Sequence, residues 1–134
     1  MSKVKGINHI AVVVDDMEKS LSFWRDALGM ELHELCDVPA EKSKVAFMPL
    51  AGSEIELVQP TSDDSGIAKY LAKRGPGMHH ICVEVDDIDE MLAQLKSKGI
   101  RLINEEPRIA ADGKKYAFVH PESTNGVLVE LYQI

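Results

Sequence analysis

The sequence predicts an α+β fold made of two paired βαβββ modules. Three observations carry that prediction. The chain repeats itself at a nearly constant offset. Each copy opens with a β-rich apolar run followed by apolar residues at helical spacing. Each copy closes with strand-like runs joined by turn-forming residues.

The repeat comes first, because missing one misreads the whole fold. His9-Ile-Ala-Val-Val-Val-Asp-Asp16 matches His80-Ile-Cys-Val-Glu-Val-Asp-Asp87, an offset of 71 from 9 to 80. Met17, Leu21 and Trp24 fall on Ile88, Leu92 and Leu95 at the same offset. Gly29-Met-Glu-Leu32 matches Gly99-Ile-Arg-Leu102 one residue closer, and Ala46-Phe47 matches Ala117-Phe118 at 71. Ile55-Glu56-Leu57 matches Val129-Glu130-Leu131 at 74, so a longer hairpin turn is predicted in the second copy.

The elements follow in order. Ile7–Val14 and His80–Val85 read as first strands. Asp15 or Asp16, and Asp86 or Asp87, are N-cap candidates for the helices that follow. The pairs Asp15 with Glu18 and Asp87 with Glu90 resemble a capping box with Asp in place of Ser or Thr. Met17, Leu21, Trp24 and Leu28 recur on one helical face. Gly29 and Gly99 end the helices, since glycine tolerates the left-handed backbone of a C-terminal cap. Val45–Leu50 and Ile55–Val58 flank the hairpin signal Ala51-Gly-Ser53; Tyr116–Val119 and Val127–Tyr132 flank Pro121–Gly126. Between the copies, Thr61–Ser65 is a polar loop, Ile67–Lys73 a short amphipathic helix and Arg74–Gly77 its end. The 134 residues thus read as one domain: module 1 (about 5–60), a linker helix (about 61–77) and module 2 (about 78–134).

Composition bounds the function. At 45% hydrophobic and 28% charged the chain is an ordinary globular one, with a net charge of −7. That sign argues against nucleic acid or an anionic membrane as partner, since both need basic patches. No apolar run approaches the ~20 residues of a membrane span. The start, MSKVKGINHI, has no secretory apolar segment, and Cys36 and Cys82 have no metal-type spacing, so the cytoplasm is the expected compartment. Cys82, inside an apolar run, reads as a small core residue.

Each copy carries one His on its first strand and one Glu on its last. A lone His in an apolar strand is commonly a hydrogen-bonded core residue, and a lone Glu in a strand is commonly solvated. Here all four occupy matching repeat positions, which packing alone does not require. If the modules pair about a pseudo-twofold axis, His9, Glu56, His80 and Glu130 converge in a metal-containing cleft. Two imidazoles and two carboxylates suit a borderline divalent ion, Co2+, Mn2+, Ni2+, Fe2+ or Zn2+, rather than a thiolate-rich structural zinc site. Neighbouring residues are weaker candidates. His79 points to the opposite face from His80; Glu54 sits at the turn; His33 lies in a charged stretch; His120, at a strand end before Pro121, stands beside the site.

The residues also carry a resemblance. NHIAVVVDD, VAFMPLAGSEIELVQP, DSGIAKYLAKRGPGMHHICVEVDDID, RLINEEPRIAADGKK and FVHPESTNGVLVEL together resemble the vicinal oxygen chelate (glyoxalase) superfamily, and within it the methylmalonyl-CoA epimerase family, from Asn8 to Gln133. The resemblance implies a metal held by His9, Glu56, His80 and Glu130, with Co2+ first among the candidates. It implies an acyl-CoA thioester substrate, a homodimer, and epimerisation of (R)- and (S)-methylmalonyl-CoA through a metal-stabilised enolate. Two departures stand out. A Glu proposed as catalytic base in one branch falls at Val45 here, and the usual Gly-Ala-His-Gly is Ala110-Ala-Asp-Gly113. With Val45 unable to move protons, Glu130 and Glu56 are the expected proton carriers. For the CoA phosphates, the cations Lys69, Lys73, Arg74, Arg108, Lys114 and Lys115 are available. Lys114 and Lys115 come first because they follow the Ala110–Gly113 loop.

Other readings of the same pattern are a glyoxalase I-like isomerase, an extradiol-type dioxygenase and a metal-free ligand-sequestering protein. Dioxygenases use two His and one carboxylate with open positions on iron, and a fourth protein ligand leaves little room for both substrate and oxygen. A sequestering protein has no need of His and Glu at all four positions. A glyoxalase-like reaction shares the enolate chemistry and stays open at this point.

Overall fold

The computed structural model describes residues 1–134. Eight strands and three α-helices follow one another as βαβββ, a linker helix, and βαβββ again. The first copy runs β1 (Val4–Val13), α1 (Met17–Leu21), β2 (Glu34–Val38), β3 (Ser43–Leu50) and β4 (Ser53–Pro60). The linker helix is α2 (Gly66–Arg74). The second copy runs β5 (Gly77–Val85), α3 (Ile88–Ser97), β6 (Arg108–Ile109), β7 (Lys115–Val119) and β8 (Val129–Gln133). The α+β class and the doubled module are as predicted. No helix is long and apolar enough to cross a membrane.

The chain divides into two compact units, Ile10–His79 and Met1–His9 with His80–Ile134. β1 contributes its first residues to the latter and its last to the former. In the unit of Ile10–His79, the strand order is β2-β3-β4-β1. β4 lies parallel to β1 and antiparallel to β3. In the other unit the order is β5-β8-β7-β6, with β8 parallel to β5 and antiparallel to β7. The same register appears twice: Glu56 sits opposite Ala11 and Phe47, and Glu130 sits opposite Cys82 and Phe118.

Each helix covers one face of its own strands. α3 buries Ile88, Met91 and Leu92 against Val85, Ala117, Val119 and Leu131. α1 buries Met17 and Leu21 against Val14, Ala46, Met48 and Leu57. Each such side chain contributes about 1.5–3 kcal/mol by leaving water. Because strand side chains alternate, filling one face leaves the other face of each sheet for different residues.

Both helices are started the same way. Asp16 Oδ1 accepts from Lys19 N and Asp87 Oδ1 from Glu90 N, each at 3.1 Å. Gln59 Oε1 accepts from Met17 N at 2.8 Å and Gln133 Oε1 from Ile88 N at 2.7 Å, so two orphan amides of each first turn are satisfied. The expected pairing of Asp15 with Glu18 is corrected here: the cap is one residue later, where Asp16 has the extended backbone a cap needs. The predicted single helical face from Met17 to Leu28 is also corrected. After Leu21 the helix widens into a π-helical turn, Ser22–Ala27, with Leu28 N bonded to Phe23 O. The wider turn carries Leu28 off the apolar face, and it is 55% exposed. The helices do end at Gly29 (φ 83) and Gly99 (φ 75), as the sequence predicts.

Candidate metal centre

β1 and β5 place His9 and His80, and β8 places Glu130, so that three side chains of one unit meet. His9 Nε2 lies 3.2 Å from His80 Nε2 and 3.3 Å from Glu130 Oε1. His80 Nε2 lies 3.1 Å from the same oxygen. All three are withdrawn from solvent, with side-chain exposures of 11%, 13% and 12% for His9, His80 and Glu130. His9 Nδ1 sits 2.8 Å from Asn8 Oδ1. That oxygen can only accept, so Nδ1 carries the proton and Nε2 turns its lone pair to the meeting point, the usual way a neighbour fixes a ligating tautomer. The His80 ring meets the His9 ring edge-on at 5.3 Å and the Phe118 ring at 5.6 Å, which holds its plane.

Burial alone would push the Glu130 carboxyl up. With the two imidazoles protonated, hydrogen bonds from His80 and then His9, and their positive charge, outweigh it and hold the group at about 2; in the neutral rings the same nitrogens turn lone pairs to the meeting point instead. The side chain is therefore an acceptor across neutral pH.

Three electron-rich atoms facing one another at 3.1 to 3.3 Å fit a cation. Donors about 2.1 Å from a common ion, at angles near those of octahedral or tetrahedral sites, stand about 3.0–3.4 Å apart. The set of two imidazole nitrogens and a carboxylate oxygen also suits a borderline divalent ion. Cys82 adds to this picture. It is fully buried, and His9, Cys82 and Glu130 offer ligand atoms within 4.8 Å of one another, a group that could hold a metal. The His9, His80 and Glu130 distances are shorter, so we take these as the tighter set, with Cys82 against it. The sequence reading of Cys82 as a small core residue holds, since it is fully buried, but does not reach its place beside the donors. The signal was present: Cys82 lies two residues from His80, hence on its face, and takes the repeat position of Ala11, opposite the strand Glu.

The other singled-out residues lie as follows. Glu56 is half-buried on β4, in the unit of Ile10–His79, between Ala11 and Phe47. It acts on Cys36: burial pushes that thiol up, and the charges of Glu34, Asp37 and Glu56 push it further. Lys114 Nζ stands 6.0 Å from the centre of the Tyr132 ring and 3.7 Å from Asp112 Oδ2. Lys115 turns to the helix side of the sheet, where Nζ lies 3.3 Å from Asp89 Oδ2. His120 caps a short 3-10 turn, its Nδ1 accepting from Glu122 N at 3.0 Å. His79 stacks edge-on with Tyr70 at 4.7 Å. Val45 is buried between Val58 and Cys36.

The chain is also similar to known proteins. The glyoxalase/bleomycin resistance protein/dioxygenase superfamily matches residues 8–118. The mitochondrial methylmalonyl-CoA epimerase of Mus musculus is 43% identical over 132 residues, 98% of this chain and 74% of that protein. The ethylmalonyl-CoA/methylmalonyl-CoA epimerase of Cereibacter sphaeroides is 41% identical over 130 residues, 96% of this chain and 97% of that protein. A solved methylmalonyl-CoA epimerase in complex with methylmalonyl-CoA and NH4+ superposes with a TM-score of 0.86 at 31% identity, covering 98% of this chain and 95% of that one.

Proposed function

The chain belongs to the methylmalonyl-CoA epimerase family of the glyoxalase superfamily, and from that premise we propose that it interconverts (R)- and (S)-methylmalonyl-CoA at a divalent metal held by His9, His80 and Glu130, with Glu56 as a fourth donor. It is an isomerase. The observation that carries the reading is the approach of His9 Nε2, His80 Nε2 and Glu130 Oε1 to within 3.1 to 3.3 Å of one another. The support for Glu56 is the repeat: Glu56 stands opposite Ala11 as Glu130 stands opposite Cys82. Co2+ is the first candidate, and the donor set accepts Mn2+, Ni2+, Fe2+ or Zn2+ as well.

When bound, the ion supplies positive charge where negative charge gathers on the thioester oxygen as the C2 proton leaves. The side chains do the rest. Asn8 keeps His9 in the tautomer that presents Nε2, and Phe118 keeps the His80 ring in place. Inversion needs a proton removed from one face of the carbon and returned to the other. Glu130 is locked between two imidazoles, whereas Glu56 is half-buried on β4, so carrying the proton falls first to Glu56. The family resemblance further implies a homodimer, which sedimentation would show as roughly twice the 14.8 kDa chain mass.

The test is to incubate cobalt-loaded protein with one epimer of methylmalonyl-CoA in deuterated water and follow deuterium at C2 by mass spectrometry. The expected result is rapid uptake with conversion to the other epimer, abolished by a chelator and restored by the metal. No uptake by protein shown to hold one ion per chain would overturn the assignment.

A further inference from the structure

Of the first nine residues only Ser2 and His9 are buried. Between them the chain runs out to His9 with Val4 57% and Ile7 48% exposed, and Gly6 has no side chain to pack. Burial sets the register of a strand, and here little is buried to set it. A slip of one residue would turn His9 to the opposite face, away from His80 and Glu130. A slip of two would carry it about 7 Å along the strand, at 3.3 Å per residue, out of reach of a shared ion.

The register is nonetheless definite. Lys3 O accepts from Asp86 N at 3.2 Å, Lys5 Nζ lies 3.5 Å from Glu84 Oε1, and His9 Nε2 lies 3.2 Å from His80 Nε2. The partner's number falls by as much as the first number rises. These three contacts therefore follow one antiparallel register, Lys3 to His9 against Asp86 to His80.

Ser2 closes the far end of that register. It is 4% exposed. Its hydroxyl donates to Asp86 Oδ1 at 2.7 Å and accepts from Asp87 N at 3.3 Å. Its amide donates to Gln94 Oε1, and its carbonyl accepts from Gln94 Nε2 at 3.3 Å. Lys3 N adds a bond to Asp86 Oδ1 at 3.0 Å. Every polar group of Ser2 is thus satisfied by the end of β5 and by α3. A slip by one residue would push Met1 or Lys3 into this small buried space and strand the groups that hold Ser2, a loss the buried partners cannot recover from water. The strand of the other imidazole needs no such anchor, since β5 is paired along β8 from Ile81 to Glu84. At the repeat offset of 71 Ser2 matches Lys73 of α2, and Asp15, which matches Asp86, is exposed.

We propose that Ser2, gripped by Asp86 and Gln94, is a register latch that positions His9 for the metal. The inference rests on the reading of His9, His80 and Glu130 as metal donors. Ser2 is a positioning residue: it acts on the ion only through the strand that carries His9.

The test removes the latch and reads the site. Ser2→Ala with Gln94→Ala takes away the hydroxyl and both bonds to the backbone of residue 2. The cobalt Kd of the folded protein is measured by titration, and amide hydrogen exchange over Val4–His9 is measured without metal. The Kd is expected to rise about tenfold or more, the scale on which losing a group that orients a ligating histidine weakens metal binding, and exchange over Val4–His9 to quicken. Asp16→Ala, which weakens a helix cap in the other unit, is the control for lost stability and should move neither. In a His9→Ala background the latch substitutions should raise the Kd no further, because the latch acts through His9. An equal rise with and without His9, or an unchanged Kd in the folded latch variant, would overturn the proposal. Should the double variant fail to fold, Asp86→Ala alone takes the acceptor from Ser2 and Lys3; a rise of about threefold is expected, and no rise overturns the latch. If the unmodified protein holds no cobalt, the metal reading falls and positioning for a metal falls with it, whatever the exchange shows. Cobalt binding without deuterium uptake at C2 of methylmalonyl-CoA sinks the epimerase reading alone, and the Kd then decides on the latch.

Discussion

The two βαβββ repeats are most alike where helix meets sheet and least alike on the opposite face. Their helix starts share the same two devices, an Asp cap and a Gln reaching from the last strand. Leu21 and Leu92, at matching positions, are 0% and 2% exposed. On the other face, Ala11 becomes Cys82, and Val13, Val45 and Val58 become Glu84, Tyr116 and Tyr132. A duplicated frame thus carries one row of buried valines and one half-buried polar row. Packing constrains the first kind of position by volume and leaves the second freer, so the repeats diverge on the face that carries the metal donors.

The largest expected effects test the two glutamates against each other. Glu130→Gln is expected to lower turnover by ~100-fold or more and to reduce retained metal, because it removes a charge locked between His9 and His80. Glu56→Gln is expected to lower turnover on a similar ~100-fold scale with a smaller loss of metal, because the Gln amide oxygen can still serve as the fourth donor beside the three that remain. Turnover and elemental analysis on the same samples check both. Equal metal loss in the two variants would make the glutamates equivalent ligands, and near-normal turnover in a metal-loaded Glu56→Gln variant would remove it as the proton carrier.

Next in size are the matched core positions. Leu21→Ala and Leu92→Ala are each expected to cost about 2–5 kcal/mol, read as urea midpoints. Similar values would confirm that the two frames are equally packed. A much smaller cost at Leu21 would mean that the π-helical turn after it lets the first core collapse into the space.

Much of this frame was legible from the repeat. The offset of 71 marked the first strands, the matching helix positions and the pairing of His9 with His80, and an offset of 70 the stops at Gly29 and Gly99. What escaped depended on backbone detail or on reading faces too narrowly. Asp15 and Asp16 are both good caps by composition, and only the extended backbone at Asp16 decides between them. The π-helical turn has no residue signature, and only the first helix adopts it. The place of Cys82 beside the donors was legible and missed, since apolar neighbours masked its position on the His80 face. Lys114 and Lys115 were grouped by proximity in sequence, yet adjacent strand residues face opposite ways, and Lys115 goes to Asp89.

Smaller effects lie at the caps. Asp16→Ala and Asp87→Ala are each expected to cost about 1 kcal/mol, by thermal or urea unfolding. The Asp87 variant should suffer more, because α3 runs ten regular residues and buries Ile88, Met91 and Leu92, whereas α1 is regular for five. Equal costs would show that the π-helical extension shares the cap's benefit with α1.

The smallest expected effect belongs to the second repeat alone. Asp86 accepts from Ser2 Oγ at 2.7 Å and from Lys3 N at 3.0 Å, tying the chain's first residues to the end of β5. The Ser2 hydroxyl and then the Lys3 amide hold the carboxyl below its ordinary 3.8. A carboxylate depressed in the folded state binds fewer protons there than in the unfolded chain. Its contribution is therefore present above 3.8 and is lost as pH falls through the folded value. Asp86→Ala should lower the urea midpoint slightly at pH 7, and the difference should narrow as acid protonates the carboxylate of the folded, unmodified protein. Asp15→Ala, at the matching exposed position, is the control and should leave the midpoint in place. A gap for Asp86→Ala that is constant with pH would show that the loss is one of packing at Ser2 rather than of the carboxylate charge.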